Sequence, residues 1–337
     1  MKAAIYNGIK NVTVKELAVP VCKENDILVK NLFSCICGSD LNAYYYGGDS
    51  VRIFKGQEFG HEMVSEVIEV GSKVKDIAIG QRVYPYPLEA KNDRSRAATV
   101  GGFSEYVLIP DCEVGRSVYP VSDKISTKTA ALIEPFTVGT CAARKANPRP
   151  GQTAVVFGAG AIGVSAAAAL KYFGVEKVMI ADLSDFRLEI VRNLGFEICN
   201  SKKDDIKREA KAVFGQVPGY PSSCADVDIY IDAVGAGAVI EQWQDMAKYG
   251  SKLVVVGVHH KPVSVDFMRV TYNDALILGS GGYHPQDVLT VLEIMESGNL
   301  NLESLITHEF RLENIIEAIE TANKADEALK VVIRYDK

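Results

Sequence analysis

The chain has no run approaching the roughly 18 uninterrupted apolar residues that a membrane-spanning helix needs, so no membrane partner is expected. It also lacks an excess of positive charge: 37 lysines and arginines stand against 43 aspartates and glutamates, a net charge of −6. Without a basic surface, nucleic acid and anionic lipid are poor partners, and a small molecule is the better expectation. No apolar signal core follows Met1, because Met1-Lys-Ala-Ala-Ile-Tyr6 alternates like a strand and runs into charge. The seven cysteines are odd in number and scattered, which argues against a disulfide framework and for a reducing cytoplasm. Internal repeats and low-complexity segments are absent too.

What is present suits an ordinary globular protein of two domains: 337 residues, 47% apolar and 24% charged. Residues 1 to about 140 read as short strands and turns, mainly antiparallel, with an exposed irregular loop from Tyr84 to Gly102. From about 141 to 281 strands alternate with helices, which predicts a parallel sheet covered on both faces. A glycine-, proline- and serine-rich loop is expected from Gly215 to Ser223. The last segment, Leu329-Lys-Val-Val-Ile-Arg334, reads as a strand that must pair somewhere, and a return to the N-terminal half is expected.

One stretch organises the second half: Thr153-Ala-Val-Val-Phe-Gly158-Ala-Gly160-Ala-Ile-Gly163. It fits the strand-to-helix turn of a dinucleotide site. There Gly158 makes the tight turn, Gly160 lets backbone approach a pyrophosphate, and Gly163 lets helix pack on strand. The helix N-terminus then faces the phosphates with free N–H groups. Lys177-Val-Met-Ile-Ala-Asp182 ends in a carboxylate placed to bond a ribose 2′-hydroxyl and to repel a 2′-phosphate, so NAD is expected rather than NADP.

In the first half, Cys35-Ile-Cys37-Gly38-Ser39-Asp40 and Gly60-His61-Glu62 stand out, with Glu134-Pro135 just before the sheet domain. Thiolate, imidazole and carboxylate together suit zinc better than an oxygen-only cation. Taken singly, His61 is more often a structural histidine and Cys37 a small buried hydrophobe. Only the combination points to a metal.

Several motifs run in one order along nearly the whole chain: Cys37-Gly-Ser-Asp40, Gly60-His61-Glu62, Gly80-Gln-Arg-Val83, Glu134-Pro-Phe-Thr-Val-Gly139, the glycine turn, Asp182-Leu-Ser-Asp-Phe-Arg187 and Leu305-Ile-Thr-His308. In these the sequence resembles the zinc-dependent alcohol dehydrogenases of the medium-chain dehydrogenase/reductase superfamily, nearest the sorbitol, threonine and butanediol dehydrogenase branch. The resemblance implies an α/β protein with a Rossmann doubly wound parallel sheet over 141–281 that binds NAD. A discontinuous GroES-like β-rich catalytic domain, from 1–140 and 282–337, is implied as well, with the active site in the cleft between the two. It implies that Cys37 and His61 are zinc ligands and that Glu62 and Glu134 are ligands or near-ligands able to trade places with water. Asp40 would orient His61, and the hydroxyl of Ser39 would accept the substrate proton. Asn42 stands where the branch often has a histidine at the outer end of the proton relay, so the proton must leave by water or the cofactor ribose. Ile162 would pack against the pyrophosphate turn. Arg187 would lie beside the adenosine ribose, and Val256, Val258 and Ser280 on the nicotinamide side.

The sequence also departs from that family. Most members hold a structural zinc on four closely spaced cysteines, but no cysteine falls between Cys37 and Cys112, so one zinc per chain is expected. No arginine lies in Gly279 to His284, where polyol-specific members often place one near the substrate. Tyr44, Tyr45, Tyr46 and Phe54 either line a substrate cleft or simply pack. His259, His260 and His284 either bond a substrate hydroxyl or lie at the surface, and His308 is expected to be structural. Cys35, Cys112, Cys141, Cys199 and Cys224 are expected to be buried packing residues. An apolar edge strand near Lys252 to Leu278 would suit symmetric pairing into a homodimer or homotetramer. Two further readings stand beside a zinc- and NAD-dependent alcohol or polyol dehydrogenase. They are a zinc-free enone or quinone reductase of the same fold, which would need no soft ligand set, and a nucleotide-binding scaffold without turnover.

Overall fold

A computed structural model describes residues 1–335. The chain divides into two compact units: Met1–Glu134 with Met295–Lys337, and Pro135–Ile294.

The first unit is built on a seven-stranded sheet. Its strands are β1 (Ile27–Cys35), β2 (Glu62–Val70), β3 (Arg82–Pro85), β4 (Tyr106–Ile109), β5 (Val118–Pro120), and two from the far end of the chain, Ile306–Arg311 and Lys330–Arg334. The last strand pairs antiparallel with β1, placing Val332 opposite Cys35. On its other side β1 pairs with β2, placing Cys35 opposite Glu62. The apolar alternation of β1 and β2 buries Ile27, Val29, Met63 and Val67 in one core cluster, joined by Val107 and Ile109 of β4.

Two features differ from the sequence expectation. Helix α1 (Gly38–Tyr46) stands where strands and turns were expected. Three consecutive tyrosines have little intrinsic helix preference, and tertiary packing overrides it: Ala43 and Tyr44 are buried in a cluster with Ile36, Ile315 and Ile319. The segment from Tyr84 to Gly102 is irregular, but it is not an exposed loop throughout. Tyr86, Ala90 and Val100 are buried. Arg96 also pins the segment inward, its Nε donating at 2.6 Å to Glu58, whose other oxygen accepts from Ser104 Oγ at 2.6 Å.

The second unit opens within helix α2 (Ile133–Lys145) and holds a six-stranded parallel sheet: β6 (Thr153–Phe157), β7 (Lys177–Asp182), β8 (Glu197–Asn200), β9 (Ile229–Asp232), β10 (Lys252–Val255) and β11 (Leu276–Gly279). Their spatial order is β8-β7-β6-β9-β10-β11. This is the doubly wound order that reverses between its first and fourth strands, where such sheets bind ligands outside the carboxyl ends. Between these strands run α3 (Ala161–Tyr172), α4 (Asp185–Asn193), helix Ile206–Phe214 and α5 (Gly237–Met246). The expected loop from Gly215 to Ser223 is partly ordered, since Gln216–Val217 pairs with Cys224–Ala225. Strand β11 is an edge, with Leu276 and Ile277 48% and 43% exposed. No described helix is long and apolar enough to cross a membrane.

Candidate functional site

Strand register assembles the first cluster. Side chains alternate along a strand, so Glu62, facing Cys35 on β1, projects to the same side as Val332 and as Lys330 two residues earlier. The chain leaves β1 at Cys35 and turns into α1 with Cys37 as the N-cap residue, in an extended conformation. Asp40, three residues on, accepts the Cys37 N–H through Oδ2 at 2.9 Å, as in a capping box. The outcome is that single ligand atoms of Cys37, His61 and Glu62 lie within 4.8 Å of one another. Glu62 and Glu134 are buried, whereas Cys37 and His61 keep a partly exposed edge. Glu134, in the first turn of α2, lies outside that group of three, yet its charge acts on His61.

The electrostatics of the group favour a cation. Burial raises the Cys37 thiol and the Glu62 carboxylate adds to this, while His61 opposes it. Burial pushes the His61 imidazole down, but Cys37, Glu134 and Asp40 outweigh it and raise it well above its ordinary value. Asp40 is raised to about 6 by burial, against the pull of His61 and of the Cys37 N–H. Donors that must lose protons to bind a metal are here crowded together, and a bound cation would displace those protons and supply the missing positive charge. Two buried atoms, Ser39 Oγ and Asp40 Oδ1, have no hydrogen-bond partner among the described residues. Such atoms are uncommon in a finished interior and suit a site completed by a group from outside. Mixed sulfur, nitrogen and oxygen donors with an exposed edge fit a catalytic zinc site.

Lys330 was not singled out in the sequence. Its Nζ lies 2.5 Å from Glu62 Oε2 and donates to the Ile36 carbonyl at 3.0 Å. Burial lowers the ammonium, and Glu62, with Cys35 and Cys37 behind it, outweighs burial and raises it. The available signal was a lysine inside a strand whose next three residues are all buried.

The glycine turn lies in the other unit, at the carboxyl end of β6. Gly158 has φ +102°, a conformation that side-chain-bearing residues rarely adopt. A Cβ on Gly163 would fall 1.8 Å from the Gly158 carbonyl oxygen, so only glycine lets α3 start so close to β6. At Gly160, the N-cap residue of α3, a Cβ would enter open space, and no side chain caps the helix. The first N–H groups of α3, Ile162 among them, are therefore available to an anion. Asp182, at the end of β7, holds the turn in place: Oδ2 accepts the Ala159 N–H at 2.6 Å, and Oδ1 accepts those of Leu183 and Ser184 at 2.7 and 2.9 Å. Arg187 sits in the first turn of α4, whose N-cap is Ser184. Val256 and Val258 follow β10, Val258 being 70% exposed, and Ser280 follows β11 and is buried.

The remaining candidates sort by burial. Tyr44 is buried and bonds Glu320 at 3.2 Å, whereas Tyr46 and Phe54 are exposed. The three tyrosines lie on a helix rather than at strand or loop spacing, so they face different directions. Asn42 Oδ1 accepts from Ser50 Oγ at 3.3 Å. His260 and His284 are exposed, and His308 stacks on Phe310. All seven cysteines are free. Cys35, Cys141, Cys199 and Cys224 are buried, whereas Cys112 is only partly buried, at the margin of the β1–β2 core.

The chain is similar to known proteins along most of its length. Residues 23–123 match the family model of the alcohol dehydrogenase GroES-like domain, and residues 161–297 that of the zinc-binding dehydrogenase. Over 99% of its length the chain is 30% identical to a sorbitol dehydrogenase of Bacillus subtilis, of which 97% is covered. It is 28% identical to an L-galactonate-5-dehydrogenase of Escherichia coli, with 95% of this chain and 94% of that protein aligned. Among solved structures, the 2R,3R-butanediol dehydrogenase from Bacillus subtilis superposes with a TM-score of 0.84 at 25% identity, covering 99% of both chains.

Proposed function

Since the chain belongs to the zinc-binding alcohol dehydrogenases that carry a GroES-like domain, and is an oxidoreductase of alcohols or polyols, we propose that it transfers a hydride reversibly between NAD and a secondary alcohol, polyol or sugar-derived substrate. The observation that carries this reading is the convergence of Cys37, His61 and Glu62 within 4.8 Å. Cys37 and His61 would hold one zinc per chain, with Glu62 or Glu134 as a further ligand able to trade places with water. When bound, zinc supplies a Lewis acid to the substrate hydroxyl, and NAD supplies the hydride acceptor. Ser39 Oγ takes the hydroxyl proton and passes its own onward. The amide of Asn42 cannot titrate, so that proton leaves through water or a ribose hydroxyl. Lys330 neutralises Glu62 and keeps the carboxylates from accumulating charge beside the thiolate.

In the other unit, the turn from Gly158 to Gly163 takes the pyrophosphate, with Ile162 against it. Asp182 takes the adenosine ribose beside Arg187, and Val256, Val258 and Ser280 line the nicotinamide half. The exposed apolar edge of β11 pairs two copies into a homodimer or a dimer of dimers. One preparation tests the reading: its metal content, its mass in solution, and NAD reduction on a panel of secondary alcohols, polyols and sugar acids. One zinc per chain, a dimer or tetramer mass and turnover of a panel member are expected. A zinc-free protein that consumes NAD(P)H on enones would overturn the reading in favour of a reductase.

Cofactor choice rests on Asp182. Asp182→Ala is expected to weaken NAD by about ten- to a hundredfold, the value of a hydrogen bond to a charged group. Releasing the Ala159 N–H loosens the turn for both dinucleotides, so the decisive quantity is the NADP-to-NAD ratio. It should rise, and an unchanged ratio would remove Asp182 from the selection of cofactor.

A further inference from the structure

We infer that Asp232 and His259 form a clasp that shapes the nicotinamide half of the dinucleotide site, with His259 as a positioning residue. The inference rests on the dinucleotide reading above and deepens it. In the sheet order, Asp182 ends β7 on one side of the glycine turn, and Asp232 ends β9 on the other. A dinucleotide laid across the switch point with its adenosine on Asp182 extends its nicotinamide half over the ends of β9 and β10.

Both strand ends are held by one residue. Asp232 is fully buried, and its Oδ1 accepts the N–H groups of Val234 and Gly235, each at 2.9 Å. Its carbonyl accepts those of Val256 and Gly257 at 3.0 and 2.8 Å. Its Oδ2 lies 2.7 Å from Nε2 of His259, whose side chain is 18% exposed. A carboxylate can only accept, so Nε2 carries the hydrogen of this bond. The turn after β10 is thereby tied to the turn after β9 at both its start and its end.

The two turns touch through bare backbone. A Cβ on Gly257 would fall 2.2 Å from the Gly235 nitrogen, and one on Gly235 would fall 2.4 Å from the Val258 carbonyl oxygen. Val234 and Val258, carried on these two turns, are 50% and 70% exposed. Two apolar side chains kept in solvent on a rigid double turn make a platform for a flat, weakly polar ring. Beside it lies an open cavity of about 490 Å³ lined by Gly235, Gly237, Glu241 and His259. Burying a carboxylate is costly unless it is fully bonded, and here every bond it makes serves these two turns.

The test compares NADH with ADP, which carries only the adenosine half, by calorimetric titration of the wild-type protein, His259→Phe, His259→Gln and Asp232→Asn. His259→Phe is expected to lower NADH affinity about tenfold and leave ADP affinity unchanged. His259→Gln, whose amide can still donate to Asp232, should recover part of the loss. Asp232→Asn should show the same NADH-selective loss. Equal losses for NADH and ADP, or no loss for either, would overturn the clasp. A wild-type protein that binds neither ligand would overturn the dinucleotide reading instead.

Discussion

Cys37→Ser is expected to abolish zinc binding and lower turnover about a thousandfold or more, while NADH binding stays close to that of the parent protein. A serine hydroxyl is not deprotonated near neutral pH and is a poor ligand for zinc, so the group keeps only imidazole and carboxylate donors. A Lewis acid is worth several kcal/mol in the transition state, and each 1.36 kcal/mol is about tenfold in rate. NADH affinity should persist because the glycine turn and Asp182 belong to the unit Pro135–Ile294, whereas Cys37 belongs to the other. Elemental analysis, steady-state rates and NADH fluorescence titration measure the three quantities on one sample. A loss of NADH affinity as large as the loss of rate would show that metal and cofactor binding are not separable in this way.

Lys330→Met should destabilise the metal-free protein by about 3–5 kcal/mol, the cost of leaving one partner of a buried ion pair uncompensated. Glu62 and Lys330 are 1% and 6% exposed, so water cannot replace the lost ammonium. The variant also removes the donor to the Ile36 carbonyl at the end of β1. Adding Glu62→Gln removes the stranded charge, and the double variant should recover most of the loss, because replacing both partners of such a pair is close to neutral. Zinc should narrow the deficit of the single variant, since a cation beside Glu62 supplies the charge that Lys330 no longer does. Chemical denaturation with and without zinc reads all three comparisons. Equal stability of Lys330→Met and the parent in the metal-free state would contradict the buried-pair assignment.

The sequence and the structure agree where the physical requirement is local. Gly158 needs a positive φ, Gly163 needs room for a helix against a strand, and both needs are written within a few residues of chain. The same holds for the alternation of strands and helices from 141 to 281. Helix α1 was not legible, because its tyrosines carry little preference of their own and its stability comes from packing against Ile315 and Ile319, far along the chain. The Tyr84 to Gly102 segment reads as exposed from its polar residues, and only the structure shows Arg96 drawn down onto Glu58.

By itself the sequence determined the two kinds of chemistry and their order along the chain: thiol, imidazole and carboxylate first, the glycine turn and its closing aspartate second. Tertiary structure alone decided which of these side chains meet. It set Lys330 against Glu62 and His259 against Asp232. Coulomb attraction and hydrogen bonding act through space over a few ångströms, and strand register, not chain separation, sets those distances.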